Sequence, residues 1–343
     1  MQTQSNPCCL FRHRRLLRAL YFLLGSAAML LLAGCPEHRE PHQVLRQSFQ
    51  APEKSPTMLA VYEPWFGDRD HLDVGYSSHD PLVLYKQVEQ AKSLGISGFV
   101  VDWYGNKKPY MDKTFFLLQQ VAVENDFKVA LMFDEIVTDP SRMTEDAIEN
   151  LDFAYKAYIA KDSPHAGAYL RYSGHPVIFI WPKGGKTDWA RVRQSVDSWP
   201  DPPLLIYKDE PSPYADLFDG VYAWIHPGKP GWQADGSNWG QSYLDRFYSR
   251  MTAEHSDKII VGAAWPGFDD SRATWTENRY MDRKCGKTFE QTLHYFHRYF
   301  DGKNPMPFML IATWNDHEEG TAIEHDIASL KPAARQSNCS NAD

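Results

Sequence analysis

An apolar run, Phe308-Met309-Leu310-Ile311-Ala312, gives way at Thr313-Trp314-Asn315 to Asp316-His317-Glu318-Glu319-Gly320. Three acids and a histidine follow directly on a segment with the length and composition of a buried strand. Crowded carboxylates raise one another's pKa. Paired carboxyls with separated pKa values are what acid–base chemistry on a polar, uncharged substrate requires. The competing explanation is a helix N-terminus decorated with acids, which favour the positive end of the dipole. The catalytic candidates are Asp316 and Glu319, three residues apart. Such chemistry takes one group to give a proton and another to act as base or nucleophile. Glu318 competes for either role. Glu319 is preferred because the following Gly320 permits a tight turn that aims its side chain inward. His317 is a candidate hydrogen-bond donor or metal ligand, and a metal site would draw on Asp316, His317 and Glu319. No H-E-x-x-H pattern supports a metal.

Other motifs fail on inspection. Gly184-Gly185-Lys186-Thr187 looks like the end of a phosphate loop, but the earlier glycine such a loop needs falls at Ile180. Neither a G-x-S-x-G elbow nor a G-x-G-x-x-G fingerprint is present. No cofactor is implied.

The elements that must position these residues alternate between apolar strands and amphipathic helices. The predicted strands run Thr57–Trp65, Ile96–Tyr104, Lys128–Glu135, Pro176–Pro182, Pro203–Lys208, Asp219–Ile225, Lys258–Trp265 and Phe308–Trp314. The predicted helices run Pro81–Leu94, Met111–Asn125, Thr144–Ala160, Asp188–Ser198, Asn238–His255 and Thr288–Phe300, with Asp80 capping the first and Pro81 at its N1 position. Eight strands apolar on both faces, mostly separated by helices, predict an α/β fold: a (β/α)8 TIM barrel, a single catalytic domain over residues 57–332. The segment Glu210 to Phe218 is too short for a full crossover helix, which keeps a doubly wound open sheet as the alternative.

In such barrels the chemistry sits at the C-terminal ends of the strands. Those ends read Tyr62-Glu63-Pro64-Trp65, Asp102-Trp103-Tyr104, Asp134-Glu135, Trp181, Tyr222 with Trp224, Trp265 and Trp314. Six of the eleven tryptophans fall at strand tips, whereas core packing alone would scatter them over mid-strand and helix-face positions. Aromatic rings cover the C–H faces of sugars, and Asp and Asn anchor their hydroxyls. The predicted substrate-binding residues are therefore Tyr62, Trp65, Trp103, Tyr104, Asp134, Tyr222, Trp224, Trp265, Trp314 and Asn315, and the predicted partner is a glycan.

The chain resembles the glycoside hydrolase family 71/99 group, and family 99, the endo-acting α-mannosidases, more closely. Four stretches carry this: Tyr62 to Gly67 with Gly75-Tyr76, Gly98 to Gly105, Phe218 to Tyr222 with Ser237-Asn238-Trp239, and Trp314 to Glu324. The resemblance implies a metal-independent (β/α)8 hydrolase that retains configuration. In its implied mechanism one carboxylate deprotonates the sugar's own 2-hydroxyl, giving a 1,2-anhydro sugar, while the other protonates the leaving group. The family's Asn-Glu-Trp-His-Glu-Gly-Thr run supplies both carboxylates and puts the base on Asp316 and the acid/base on Glu319. It also puts a sugar contact on Trp103 and a substrate-binding acid on Asp134. The run departs from the pattern in two ways: Asp316 stands for Glu, and His317-Glu318 stands for Trp-His. Trp-Asn-Asp is also seen in family 71, the α-1,3-glucanases, so an α-1,3-glucanase-like activity and a non-catalytic carbohydrate-binding lipoprotein on the same fold stand as alternatives to an endo-α-mannosidase-like hydrolase.

The chain begins with a basic segment, Arg12 to Arg18, and an apolar stretch from Ala19 to Leu32 that ends in Leu32-Ala33-Gly34-Cys35. This resembles a bacterial lipoprotein signal over residues 1–34, with Cys35 as the lipidated residue and residues 35–56 as a polar tether. An uncleaved anchor helix is the alternative. Either way the body is expected outside the cytoplasm, held to a membrane through Cys35. Pro36 after the cysteine favours the outer membrane. Residues 333–343 read as a polar tail. Removing the signal takes away four Arg and no acids, moving the formal charge from −8 to −8 − 4 = −12, which argues against a nucleic-acid partner. Cys8 and Cys9 leave with the signal, and Cys285 and Cys339 remain as a pair able to bond in an oxidising compartment.

Overall fold

Eight parallel strands form the frame. They are β1 (Thr57–Tyr62), β2 (Gly98–Trp103), β3 (Lys128–Asp134), β4 (His175–Trp181), β5 (Leu204–Lys208), β6 (Gly220–Tyr222), β7 (Ile259–Ala264) and β8 (Phe308–Ile311). Each pairs with the next in parallel, and β8 returns to β1 with Thr57 opposite Phe308. The sheet has no free edge and is a (β/α)8 barrel, so the open-sheet alternative is excluded. The computed structural model describes residues 56–137, 139–183, 185–209, 214–225, 240–299 and 306–328, all within one compact unit. The expected signal, Cys35, the tether to residue 55, Cys339 and the polar tail lie outside the described residues.

Among the described residues six helices cover the barrel: α1 (Pro81–Ser93), α2 (Pro109–Glu124), α3 (Met143–Ala154), α4 (Trp189–Asp197), α5 (Gln241–Glu254) and α6 (Lys287–Phe296). The α1 start is as expected, with the Asp80 side chain accepting from the Leu82 N–H and Pro81 at N1. A π-helical turn at Tyr155–Ile159 extends α3 to the predicted length. After β5 the crossover carries only a 3-10 turn, Ala215–Leu217, among the described residues, yet β6 still pairs parallel to β5.

Several strands stop short of their predicted ends: β1 at Tyr62, β2 at Trp103 and β8 at Ile311. At β8 the reason is visible in the bonding. The Ala312 and Trp314 N–H groups still donate to Ala264 O and Val61 O, but between them the Thr313 N–H donates to Thr321 O and the Ile323 N–H returns to Thr313 O, so the regular ladder gives way to a local loop. That loop holds the acid cluster. Nearby, Phe268–Asp269 and Tyr280–Met281 pair as a small antiparallel hairpin over the end of β7.

Candidate active site

A strand's side chains alternate between its two faces, so in a closed barrel every second residue points inward. At the C-terminal rim the inward set is Val61 and Glu63 from β1 and its exit, Asp102 from β2, and Met132 and Asp134 from β3. These line a cavity of about 400 Å³. The loop after β8 adds Asp316 and Glu319, and Trp65, Trp181, Trp224 and Trp275 supply aromatic walls. Tyr104, His71, Lys108, Met111 and Lys183 complete the lining.

Six of the ten residues expected to bind substrate lie outside this lining. Tyr62 points outward, its hydroxyl donating to Gln87 Oε1 at 2.9 Å in α1. Trp103 packs under the helices, its ring parallel to Phe153 and its Nε1 donating to Asp112 at 3.1 Å. Tyr222 lies inside the barrel but a layer too deep, packed edge-on against Phe179 with its hydroxyl on Ile180 O. Above that layer, Trp181 and Trp224 meet edge-on with ring centroids 4.8 Å apart. Trp265 is fully buried against Gly240, at the start of α5, and its N–H donates to Thr292 in α6. Trp314 packs on Phe99. Asn315 is fully buried and acts on the backbone: its Oδ1 accepts from Glu63 N at 2.7 Å and its Nδ2 donates to Glu63 O at 2.9 Å. Trp65, Tyr104, Asp134, Trp224, Asp316 and Glu319 do reach the cavity.

Glu63, Asp102, Trp181, His71 and Trp275 line the cavity but are absent from the predicted binding set. For the first two, the signal was one residue away in each case: Glu63 follows Tyr62, and Asp102 precedes Trp103. An acid at an inward position of an apolar strand carries the information, and it is readable only once the strand's phase is known.

Asp316 and Glu319 are fixed by one turn. Asp316 Oδ1 accepts from the backbone N–H of Glu318 at 3.0 Å and of Glu319 at 2.8 Å, and the Asp316 N–H donates to Thr313 Oγ1. Gly320 has φ +63°, the left-handed conformation the tight turn needs. Glu319 Oε1 accepts from Trp275 Nε1 at 3.4 Å and lies 4.0 Å from the Arg279 guanidinium. Arg279 is held in turn by Asp270, a fully buried carboxylate that also accepts from Thr276 and from the backbone of Glu277 and Arg279.

Of the departures from the family pattern, His317 and Glu318 turn away from the reacting position, whereas Asp316 lines the cavity. His317 Nε2 bonds Glu324 at 3.0 Å and its ring meets Phe66 edge-on, so it is not a co-ligand with Asp316 and Glu319. Glu318 is buried and bonds the Leu72 N–H and His71, tying the loop after β1 to the loop after β8.

Five carboxyls thus surround one cavity. Burial drives the Glu63 carboxyl well above its usual range, and the charges of Asp102, Asp316, Glu319 and Asp134 add to this. Asp102 is raised by burial and by Asp134. Asp316 is raised by burial and by Glu319, against which its two backbone N–H bonds work. Glu319 is raised by burial, with Trp275 and Arg279 opposing. Asp134 is pushed up to about 6 by burial, although Lys183 sits 2.6 Å away. Lys208 lies over the Trp181 ring at 3.5 Å, and burial lowers its pKa. The cavity therefore offers protonatable acids and flat aromatic faces together, a combination suited to proton transfer on an uncharged, ring-shaped substrate.

A family model described as glycosyl hydrolase family 99 matches residues 71–336. Among solved structures, the GH99 endo-alpha-mannosidase from Bacteroides thetaiotaomicron in complex with bis-tris-propane is similar at 21% identity and a TM-score of 0.60. The alignment covers 78% of this chain and 86% of that one. Another structure of that enzyme gives 19% identity and a TM-score of 0.56, over 78% and 87% of the two chains. A glycoside hydrolase-like protein matches at 14% identity and a TM-score of 0.54, over 82% and 91%. At these identities the likeness carries the fold. No curated protein matches the chain.

Proposed function

Since this chain belongs to glycosyl hydrolase family 99, we propose that it cleaves an α-linked, mannan-like glycan with Asp316 and Glu319 as its carboxylate pair. That it is a glycoside hydrolase follows from the family. The pair rests chiefly on one observation: both carboxyls line the same cavity and are set relative to each other by a bond from the Glu319 N–H to Asp316 Oδ1.

The backbone N–H groups of Glu318 and Glu319 favour the anion at Asp316. Burial raises the pKa of both carboxyls, Asp316 as well as Glu319. The roles follow the motif the chain resembles: Asp316 is the base and Glu319 the acid. In the first step Asp316 takes the proton of the sugar's 2-hydroxyl, whose oxygen attacks the anomeric carbon. The glycosidic C–O bond breaks, and Glu319 gives its proton to the departing oxygen. The product is a 1,2-anhydro sugar. Glu319, now ionised, then takes a proton from water as the water oxygen opens the strained ring at the anomeric carbon, and Asp316 returns its proton to the 2-oxygen. The B. thetaiotaomicron relative is described as an endo-alpha-mannosidase, which favours α-mannan as the first substrate to try. An α-1,3-glucan belongs in the same screen because Asp316 shortens the base by one methylene.

The test is reducing-end release from α-mannans and α-glucans at fixed pH. Asp316→Asn and Glu319→Gln should each lower the rate by about 10²–10⁴-fold while glycan affinity persists. Full activity in both variants would remove the pair from the mechanism.

We further propose that the enzyme works outside the cytoplasm, on a lipid anchor at Cys35. The supporting sequence is Leu32-Ala33-Gly34-Cys35 behind a basic and then apolar leader. No helix among the described residues is long and apolar enough to cross a membrane.

A further inference from the structure

The loop after β1 carries His71 into the cavity beside the acid Glu319. Its imidazole stacks on Trp65, ring centroids 4.8 Å apart and 17° from parallel, and meets Trp275 edge-on at 6.5 Å. Trp275 is the residue whose indole N–H donates to Glu319. His71 therefore stands on the acid's side of the cavity, where a departing sugar must sit.

One ring nitrogen is committed. Nδ1 lies 3.1 Å from Glu318 Oε2, and the other oxygen of that carboxylate accepts the Leu72 N–H at 2.9 Å. The Glu318 side chain is only 2% exposed, against 15% for His71. A buried carboxylate receiving a backbone N–H on one oxygen is an acceptor, so it places the imidazole hydrogen on Nδ1. Nε2 then carries a lone pair, and it makes no hydrogen bond among the described residues.

Resting on the glycosidase reading of this cavity, we propose that His71 is a substrate-contacting residue whose Nε2 accepts a hydrogen bond from a hydroxyl of the leaving-group sugar, and that Glu318 is the positioning residue that fixes its tautomer and ring plane. The proposal gives a use to Glu318, a carboxyl next to the acid pair that the hydrolytic steps leave idle. It assigns Trp65 a second task besides lining the cavity: its face holds the imidazole flat. The ligand class is an α-linked oligosaccharide with a free hydroxyl on the sugar that departs.

The competing explanation is that His71 merely fastens the loop through Glu318, and one substitution separates the two. Asn reproduces the Nδ1 position of histidine but has nothing at Nε2. His71→Asn keeps the Glu318 contact and removes the cavity-facing acceptor, whereas His71→Ala removes both. The probes are α-1,2-mannobiose and α-1,3-glucobiose. Their affinities are titrated against the full chain and both variants, with thermal midpoints as the control for folding. Alongside, protein carrying ¹⁵N-labelled histidine is examined by long-range ¹H–¹⁵N correlation, free and with each disaccharide.

The expected result is an Nδ1–H tautomer at His71 in the free protein and a mixture of tautomers in Glu318→Gln. The Nε2 resonance should move when sugar binds. His71→Asn should lose at least about tenfold in affinity while its thermal midpoint stays at the wild-type value. Wild-type affinity in His71→Asn, or a hydrogen on Nε2 in the free protein, would overturn the proposal. A wild-type protein that neither binds nor cleaves these sugars counts against the α-glycan reading instead, because the tautomer is read without any sugar present.

Discussion

At Glu63 and Asp102 the chain buries carboxyl groups whose oxygens are not all paired. Glu63 is 3% exposed, its Oε2 accepts no hydrogen bond, and four other acids raise its pKa after burial has done so. Such a group opposes folding once it must ionise. Because its folded-state pKa lies above the unfolded value, the native chain binds the extra proton, and stability falls as pH rises from the ordinary carboxylate range towards the raised pKa. Glu63→Gln imitates the protonated form at every pH. It should therefore raise stability by about 0.5–2 kcal/mol at pH 8 and leave it nearly unchanged at pH 4. Thermal midpoints of the two proteins across that range check it, and a gap that narrows with rising pH would contradict the sign. Asp134, at about 6, adds a second group that changes charge close to neutrality, so its ion pair with Lys183 tightens as pH rises past that value. The residue scale is also where the sequence was hardest to read. Ring chemistry points to Tyr62 and Trp103, yet the adjacent Glu63 and Asp102 are the ones aimed inward, because strand phase is not visible in a run apolar on both faces.

Loops, not strands, carry the acid pair and its surroundings. Asn315 grips both backbone groups of Glu63 across 252 residues of sequence, and Glu318 grips the His71–Leu72 segment. The loop after β8 is thereby bolted to the loop after β1. The hairpin over β7 presents Trp275 and Arg279 to Glu319, and Asp270 gathers that segment with four bonds. Asp270→Ala strands Arg279 beside Glu319 and frees the backbone of the turn. A loss of about 3 kcal/mol is expected, the scale for removing one partner of a buried pair, together with an altered Trp275 fluorescence. Denaturant titration measures the first. A loss under ~1 kcal/mol would mean that the hairpin holds its shape without Asp270. At Gly320 a Cβ would come 3.0 Å from Asp269 O at φ +63°, so Gly320→Ala is expected to lose about 1–2 kcal/mol and to displace Glu319, lowering kcat more than it raises KM. The preference for a glycine there was legible in sequence because a tight turn makes a local demand. The Asn315 and Glu318 clasps were not legible, because their partners lie more than two hundred residues away.

At the scale of the whole molecule, the proposed anchor at Cys35 is tested apart from hydrolysis. Cys35→Ser should move the protein from the detergent phase to the aqueous phase and abolish labelling by palmitate, while hydrolysis of a soluble glycan by the released body is unchanged. Membrane retention without Cys35 would point to the uncleaved leader as the anchor. Cys285 is disulfide-bonded. The barrel itself was written in the order and length of eight apolar segments, since burying both faces of a parallel sheet requires them. The same pattern puts the candidate site at the rim, and a run of residues contiguous in the chain makes Asp316 and Glu319 its candidate acids. Which neighbours those acids would have was decided only by closure. Bringing β8 beside β1 sets the inward phase of every strand, selects Glu63 over Tyr62 and Asp102 over Trp103, and turns Asn315 and Glu318 into the clasps of the adjoining loops. Periodicity and contiguous motifs are properties of the chain, whereas the side on which a residue of a doubly buried strand points depends on the partner it packs against.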